Sequence, residues 1–268
     1  MVGPDSIGSP GLRFFQEQLY GQPERAVPGL ILTLAALIGL GARSWPAFLA
    51  SLLLFGGIWR YWSARLVIDD LSLGHIRLRV AEPEIWLTFD DGPGPETLLI
   101  VEELNRHGVA ATFFFIGEQV ERFPNLEELR CALRSGNHTV ANHSFTHPSF
   151  LALDERQTEW EIRRTQELLE REFPSLTVPM FRPPFGYRKA ETLEICEKLN
   201  LEVVGWSLNS LDFLDGSASA LWERLERCLE GGVIILFHDG RSGRRRTLDA
   251  LRLWLPELQG KGFDLHLP

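Results

Sequence analysis

Two adjacent carboxylates, two histidines four residues apart, an arginine and a second aspartate–histidine pair are the residues of this chain whose types and spacing suit catalysis. Asp90 and Asp91 lie in Thr-Phe-Asp-Asp-Gly-Pro (88–93). Neighbours on a regular strand point to opposite faces, but the Gly92-Pro93 turn lets the backbone swing so that both carboxylates can reach one cleft. The histidines form His143-Ser-Phe-Thr-His147. On a helical turn that spacing puts both imidazoles on one face, where they can grip one metal ion. One carboxylate with two imidazoles makes a facial set that leaves positions open for water and substrate. Singly, the aspartates read equally well as a turn with a helix cap, and the histidines as surface or core residues. Their coexistence carries the metal reading.

Further groups complete the chemistry. His238, in Leu-Phe-His-Asp-Gly (236–240), can shuttle a proton near neutral pH. A carboxylate such as Asp212 can hold its tautomer and raise its pKa. Arg182 opens Arg-Pro-Pro-Phe-Gly-Tyr-Arg (182–188), where two prolines fix φ and Gly186 permits an unusual turn. Such a stiff loop suits the positioning of a backbone N–H and a guanidinium. Asp239 reads as a cap of the next segment, and Arg241 and Arg244–Arg246 as a solvated helix entry, with phosphate binding as the lesser alternative. His75, His107, His138 and His266 lack comparable company and read as structural.

A βα rhythm gathers these residues. After one or two preliminary strands in 66–80, strands are expected at 84–89, 110–115, 139–142, 178–181, 202–207, 233–237 and 263–267. Helices are expected at 96–107, 117–135, 154–172, 188–199, 218–230 and 246–259. Strands alternating with helices imply parallel βαβ units, whose strand C-termini share one face. Asp90, Asp91, Asn142, His143, Arg182, Asn209, Asp212, His238 and Asp239 all end or follow strands, so they converge there. Periodicity alone allows a barrel or an open doubly wound sheet.

The remainder of the chain differs in character. A polar lead, 1–26, precedes two uncharged apolar runs, Val27–Ala42 and Ser44–Trp59, separated by Arg43 with Pro46 just beyond. Each makes a helix of about 24 Å. A hairpin turning at Arg43 avoids burying that charge and that proline in one span. Residues 27–65 are therefore expected to form an apolar helical hairpin, a membrane anchor through 27–62, with Trp45, Trp59, Tyr61 and Trp62 as its interfacial belt. Partner-docking helices are the alternative. Residues 66–268 form the catalytic body. Five arginines face three acids in 1–65, whereas the whole chain carries −9. So acidic a body excludes a nucleic-acid partner, which needs a basic footprint. Cys131, Cys196 and Cys228 are odd in number and far apart, which argues against disulfides or a thiolate zinc site and for small core thiols.

The ordered set Thr-Phe-Asp-Asp-Gly-Pro, His-Ser-x-x-His, Arg-Pro-Pro-x-Gly and Leu-x-His-Asp resembles the polysaccharide deacetylase family, the NodB-like carbohydrate esterases of family four. The resemblance runs from about Glu84 to Leu267, and Ala111–Gly117 looks like the family's second strand. It implies an α/β fold of NodB type, a distorted, incomplete βα barrel. It further implies that Asp91, His143 and His147 bind a divalent metal, usually zinc, and that Asp90 is the base for metal-bound water. Arg182 would orient Asp90, and the Phe185 N–H would stabilise the oxyanion. His238 would protonate the leaving amine, tuned by Asp212, and Leu236 would line the acetyl pocket. The family often has Asp-x-x-Asp-Trp where this chain has Asn209-Ser-Leu-Asp212-Phe213, which puts groove shape and substrate choice in question.

The expected activity is metal-dependent N-deacetylation of an amino-sugar-containing polysaccharide or glycolipid. The N-acetylated glycan or lipid-linked amino sugar is the expected partner. A formyl or O-acetyl deacylase and a silent glycan-binding module are the alternatives. The expected location is a membrane, with the resemblance favouring the cell envelope and the flanking arginines leaning to the cytoplasm.

Overall fold

The structure, a computed structural model, describes residues 76–214, 216–240, 244–265 and 267. They belong to the second of two units into which the chain divides, His75–Pro268. The expected polar lead, the hairpin at 27–65 and any strand in 66–75 lie outside the described residues. Among the described residues no helix is long and apolar enough to cross a membrane.

Eight strands alternate with helices: β1 (Ile76–Arg77), β2 (Ile85–Gly92), α1 (Thr97–His107), β3 (Thr112–Phe115), α2 (Gly117–Arg122), α3 (Leu126–Ser135), β4 (Thr139–Asn142), α4 (Glu155–Glu172), β5 (Thr177–Phe181), a 3₁₀ turn (Pro184–Gly186), α5 (Ala190–Lys198), β6 (Glu202–Val204), β7 (Leu208–Asn209), α6 (Ala218–Cys228), β8 (Val233–His238) and α7 (Arg245–Gln259). The strands form one sheet in the order β1-β6-β5-β4-β3-β2-β8-β7. Among the described residues every pairing between these strands is parallel, and one isolated bridge, Arg79 to Val233, is antiparallel.

The link between β6 and β7 shows how far this sheet curls. The two strands lie six places apart in the order, which is about 29 Å across a flat sheet. Only residues 205–207 join them, and four peptide steps span at most about 14 Å. The sheet therefore bends round into a half-barrel. The single strand expected over 202–207 ends at Val204, and the chain then crosses to β7 at Leu208, which forms the edge of the sheet beyond β8.

Side chains sort by the period of two. Ile85, Leu87 and Phe89, Phe113 and Phe115, and Val233, Ile235 and Phe237 pack outward in one core with Leu104, Trp254 and Leu255 of the helices. Trp86, Phe114, Ala141, Val204 and Ile234 form a smaller cluster on the other face. Thr88, Asp90, Arg182, Leu236 and His238 share the parity of that second cluster and continue it towards the strand C-termini.

Three other expectations are corrected. The helix over 117–135 is broken at 123–125, because Pro124 pushes Phe123 into extended backbone (φ −73°, ψ 119°). The strand at 263–267 reduces to a bridge between Glu84 and Asp264. Only Cys196 is a buried thiol; Cys131 and Cys228 are exposed. Helix α4 begins as expected, with the Asp154 side chain accepting from Gln157 N and the Gln157 side chain returning to Asp154 N.

Candidate active site

β2 delivers both aspartates through a bulge. Its register with β3 skips Asp91, pairing Asp90 with Phe114 and Gly92 with Phe115. Asp91 takes φ 74°, so adjacent carboxylates face one cleft. The swing occurs at Asp91 itself, ahead of the Gly-Pro turn to which the sequence pointed. On the other side of β2, Asp90 pairs in register with His238 of β8. Side chains paired in parallel register share a face, so these two stand next to each other.

The histidine segment is a loop and not the helical turn that its spacing suggested. Ser144 and His147 both take left-handed backbone, φ 68° and 59°. Glu161 of α4 holds the loop from below, its carboxylate accepting from the Phe145 and Thr146 N–H groups and from the Thr146 hydroxyl at 2.6–2.8 Å. The Ser144 hydroxyl accepts from His147 N. His143 Nδ1 lies 2.7 Å from the Arg182 carbonyl oxygen. A carbonyl only accepts, so Nδ1 carries the proton and Nε2 presents its lone pair.

Asp91, His143 and His147 each offer one ligand atom, all within 4.8 Å of one another. His147 Nε2 is 3.0 Å from Asp91 Oδ1, and His143 Nε2 is 3.6 Å from it. Burial works to raise the Asp91 carboxyl, but His147, His143 and, further off, His238 hold it well below the usual carboxylate range. One carboxylate, two imidazoles and an outer hydrogen bond that orients one ring form a donor set that fits zinc.

Arg182 is wholly buried. Its Nη1 reaches Asp90 Oδ1 at 2.7 Å and Thr88 Oγ1 at 2.8 Å, while Nε and Nη2 donate to the Val204 and Gly205 carbonyls. Its guanidinium lies over the Phe114 ring, 4.0 Å from the centroid. On β8, His238 Nδ1 meets Asp212 Oδ1 at 2.7 Å. Asp212 Oδ2 accepts from the His238 N–H and the Thr247 hydroxyl. Burial disfavours the imidazolium, but Asp212 more than offsets it, and the His238 pKa is raised. Leu236, two residues earlier, is buried. Phe185 sits at φ 60° in the 3₁₀ turn, exposed, its ring centroid 4.7 Å from that of His147.

All of the expected site residues thus come to one end of the half-barrel. Two readings change. Asp239 caps no helix: it is buried beneath Gly92, where a Cβ would meet its carboxylate at 2.3 Å, and its Oδ2 accepts from Thr97 Oγ1. Burial, with Asp91 and Asp90 nearby, pushes its carboxyl up to about 8. Of the arginines at the α7 entry, Arg244 Nη2 faces Asp91 Oδ2 at 3.8 Å, and Arg246 donates to the Asp212 carbonyl. Arg241 lies outside the described residues. His107 pairs with Glu103, and His138 is a buried neutral ring pushed down to about 4, so both are structural as expected.

A family model described as polysaccharide deacetylase matches residues 78–204. The chitooligosaccharide deacetylase of Azorhizobium caulinodans is 33% identical over 202 residues, 71% of this chain and 95% of that protein. The peptidoglycan-N-acetylglucosamine deacetylase of Bacillus cereus is 33% identical over 181 residues, 67% of this chain and 64% of that protein. Among solved structures, the Bc1960 peptidoglycan N-acetylglucosamine deacetylase aligns with a TM-score of 0.65 at 30% identity, covering 70% of this chain and 88% of that one.

Proposed function

The chain belongs to the polysaccharide deacetylase family, and on that footing we propose that it removes the N-acetyl group from an amino-sugar-containing glycan in a metal-dependent hydrolysis. The observation that carries this reading is the Asp91, His143 and His147 cluster beside the register pair Asp90 and His238. Asp91 and the two histidines would hold a divalent cation, which when bound would acidify water and polarise a carbonyl. Asp90 takes the proton of the attacking water, its carboxylate aimed by Arg182. The Phe185 N–H faces the developing oxyanion, a contribution of roughly 3–4 kcal/mol per donor. His238, kept protonated by Asp212, gives its proton to the departing amine. Leu236 packs against the acetyl methyl group.

The chitooligosaccharide and peptidoglycan activities named for its relatives support an oligomer of N-acetylglucosamine as substrate. Acetate release from such oligomers, measured with zinc and repeated with Asp90→Asn, tests the mechanism. A positioned base contributes about 10²–10⁴-fold, and a variant as active as the parent refutes its role. The uncharged runs in 27–62 support attachment to a membrane. Fractionation of the full chain against one lacking residues 1–65 tests that separately, and a full chain recovered in the soluble fraction refutes it.

A further inference from the structure

Among the described residues, the carboxylates of Asp90, Asp91 and Asp212 in this cleft each have a counter-charge within hydrogen-bond reach. Asp90 meets Arg182 at 2.7 Å, Asp212 meets His238 at 2.7 Å and Asp91 Oδ1 meets His147 at 3.0 Å. Arg244 does not. Its nearest carboxylate oxygen, Asp91 Oδ2, is 3.8 Å away, beyond a hydrogen bond, and that carboxylate already faces two imidazoles. The guanidinium is nonetheless held in place. Its side chain is only 12% exposed, and Nε donates to the Gly240 carbonyl at 3.0 Å. Gly240 is itself pressed onto β2, where a Cβ would fall 1.7 Å from the Asp91 carbonyl oxygen. Among the described residues nothing bonds Arg244 Nη1. The neighbouring arginines are committed elsewhere, Arg245 to Asp249 and Arg246 to the Asp212 and Gly216 carbonyls.

An oriented guanidinium without a hydrogen-bonded counterion, beside the groups assigned to the amide, favours an anion over a neutral hydroxyl. Charge-assisted bonds are about twice as strong as neutral ones, and the fork matches a carboxylate or a phosphate. We infer that Arg244 selects glycans carrying a carboxylate or phosphate close to the acetamido group that is cleaved, over neutral chitin-type oligomers. The inference rests on the deacetylase reading and adds a charge to its substrate.

The test uses the full-length, zinc-loaded chain and three N-acetylglucosamine oligomers of equal length. One is neutral, one alternates with N-acetylmuramic acid and its lactyl carboxylate, and one is phosphorylated at O6. The ratio of kcat/KM for the acidic to the neutral oligomer is expected to fall about tenfold or more in Arg244→Met, through KM, and to be partly restored in Arg244→Lys. In the parent enzyme the same ratio falls as salt is added, a readout that needs no variant to fold. The acidic oligomer that loses more in Arg244→Met identifies the anion. A ratio indifferent both to Arg244→Met and to salt overturns the inference alone. Absence of acetate from all three oligomers sinks the deacetylase reading instead.

Discussion

His143 donates its Nδ1–H in a hydrogen bond to the backbone oxygen of Arg182, 2.7 Å away, while the guanidinium of the same arginine holds Asp90 at 2.7 Å. One residue of β5's exit thus sets a metal-facing imidazole with its main chain and the adjacent carboxylate with its side chain. The two halves of the site cannot shift independently.

Removing that guanidinium should therefore damage both fold and site. Arg182→Met leaves Asp90 as a buried charge without its partner, and leaves the Val204 and Gly205 carbonyls without their donor. Breaking a buried pair from one side costs about 3–5 kcal/mol. Urea unfolding checks this. A loss under about 1 kcal/mol, in the range of an exposed pair, contradicts the placement.

The His238–Asp212 contact predicts a pH signature. Burial opposes both charged forms, but each partner's charge prevails, raising His238 from its ordinary 6.5 and lowering Asp212 from 3.8. For His238, stabilisation is complete below 6.5 and is lost as pH rises through the folded value. For Asp212 it is present above 3.8 and is lost as pH falls through the folded value. The pair contributes most between those limits. Asp212→Asn should remove stability in that window and move the alkaline limb of kcat to lower pH, because the imidazole then yields its proton more easily. An unmoved limb in the kcat–pH profile counts against His238 as the acid.

Loading and stripping metal gives a test independent of turnover. Zinc that binds only the folded chain stabilises it by about 2.7 kcal/mol at a hundredfold excess over Kd. Thermal unfolding with and without zinc should show the gain in the parent and none in His147→Ala or Asp91→Asn. Equal gains in all three proteins place the ion elsewhere.

Much of this site was legible in the sequence because parallel βα order sends strand ends to one face, so Asp90, His143, Arg182, Asp212 and His238 needed only a correct rhythm to be grouped. What escaped lies where local pattern and tertiary contact part. Glu161 reads as one more charge on a polar helix, yet three donors of the histidine loop converge on it. Arg244 sits in an arginine run that looks solvated, and only the approach of Gly240 to β2 brings it beside Asp91. The end of β6 at Val204 and the crossing to β7 at Leu208 depend on how far the sheet curls, which no window of a few residues contains.

Asp239 provides a last prediction, of opposite sign. Its carboxyl is fully buried, among the described residues Oδ1 has no hydrogen-bond partner, and burial next to Asp91 and Asp90 pushes the group up to about 8. In the metal-free protein the folded state therefore keeps a proton that the unfolded chain releases near 3.8. Stability falls as pH rises between those values, by about 1.4 kcal/mol per unit and so by about 4 kcal/mol at pH 7. Asn has nearly the shape of the protonated acid and no such proton to lose. Asp239→Asn should match the parent near pH 4 and exceed it progressively towards pH 8, as measured by urea unfolding in the presence of a chelator. A gap that stays constant with pH means that Asp239 is ionised in the fold, and that its charge is balanced in a way the Thr97 hydroxyl alone does not explain.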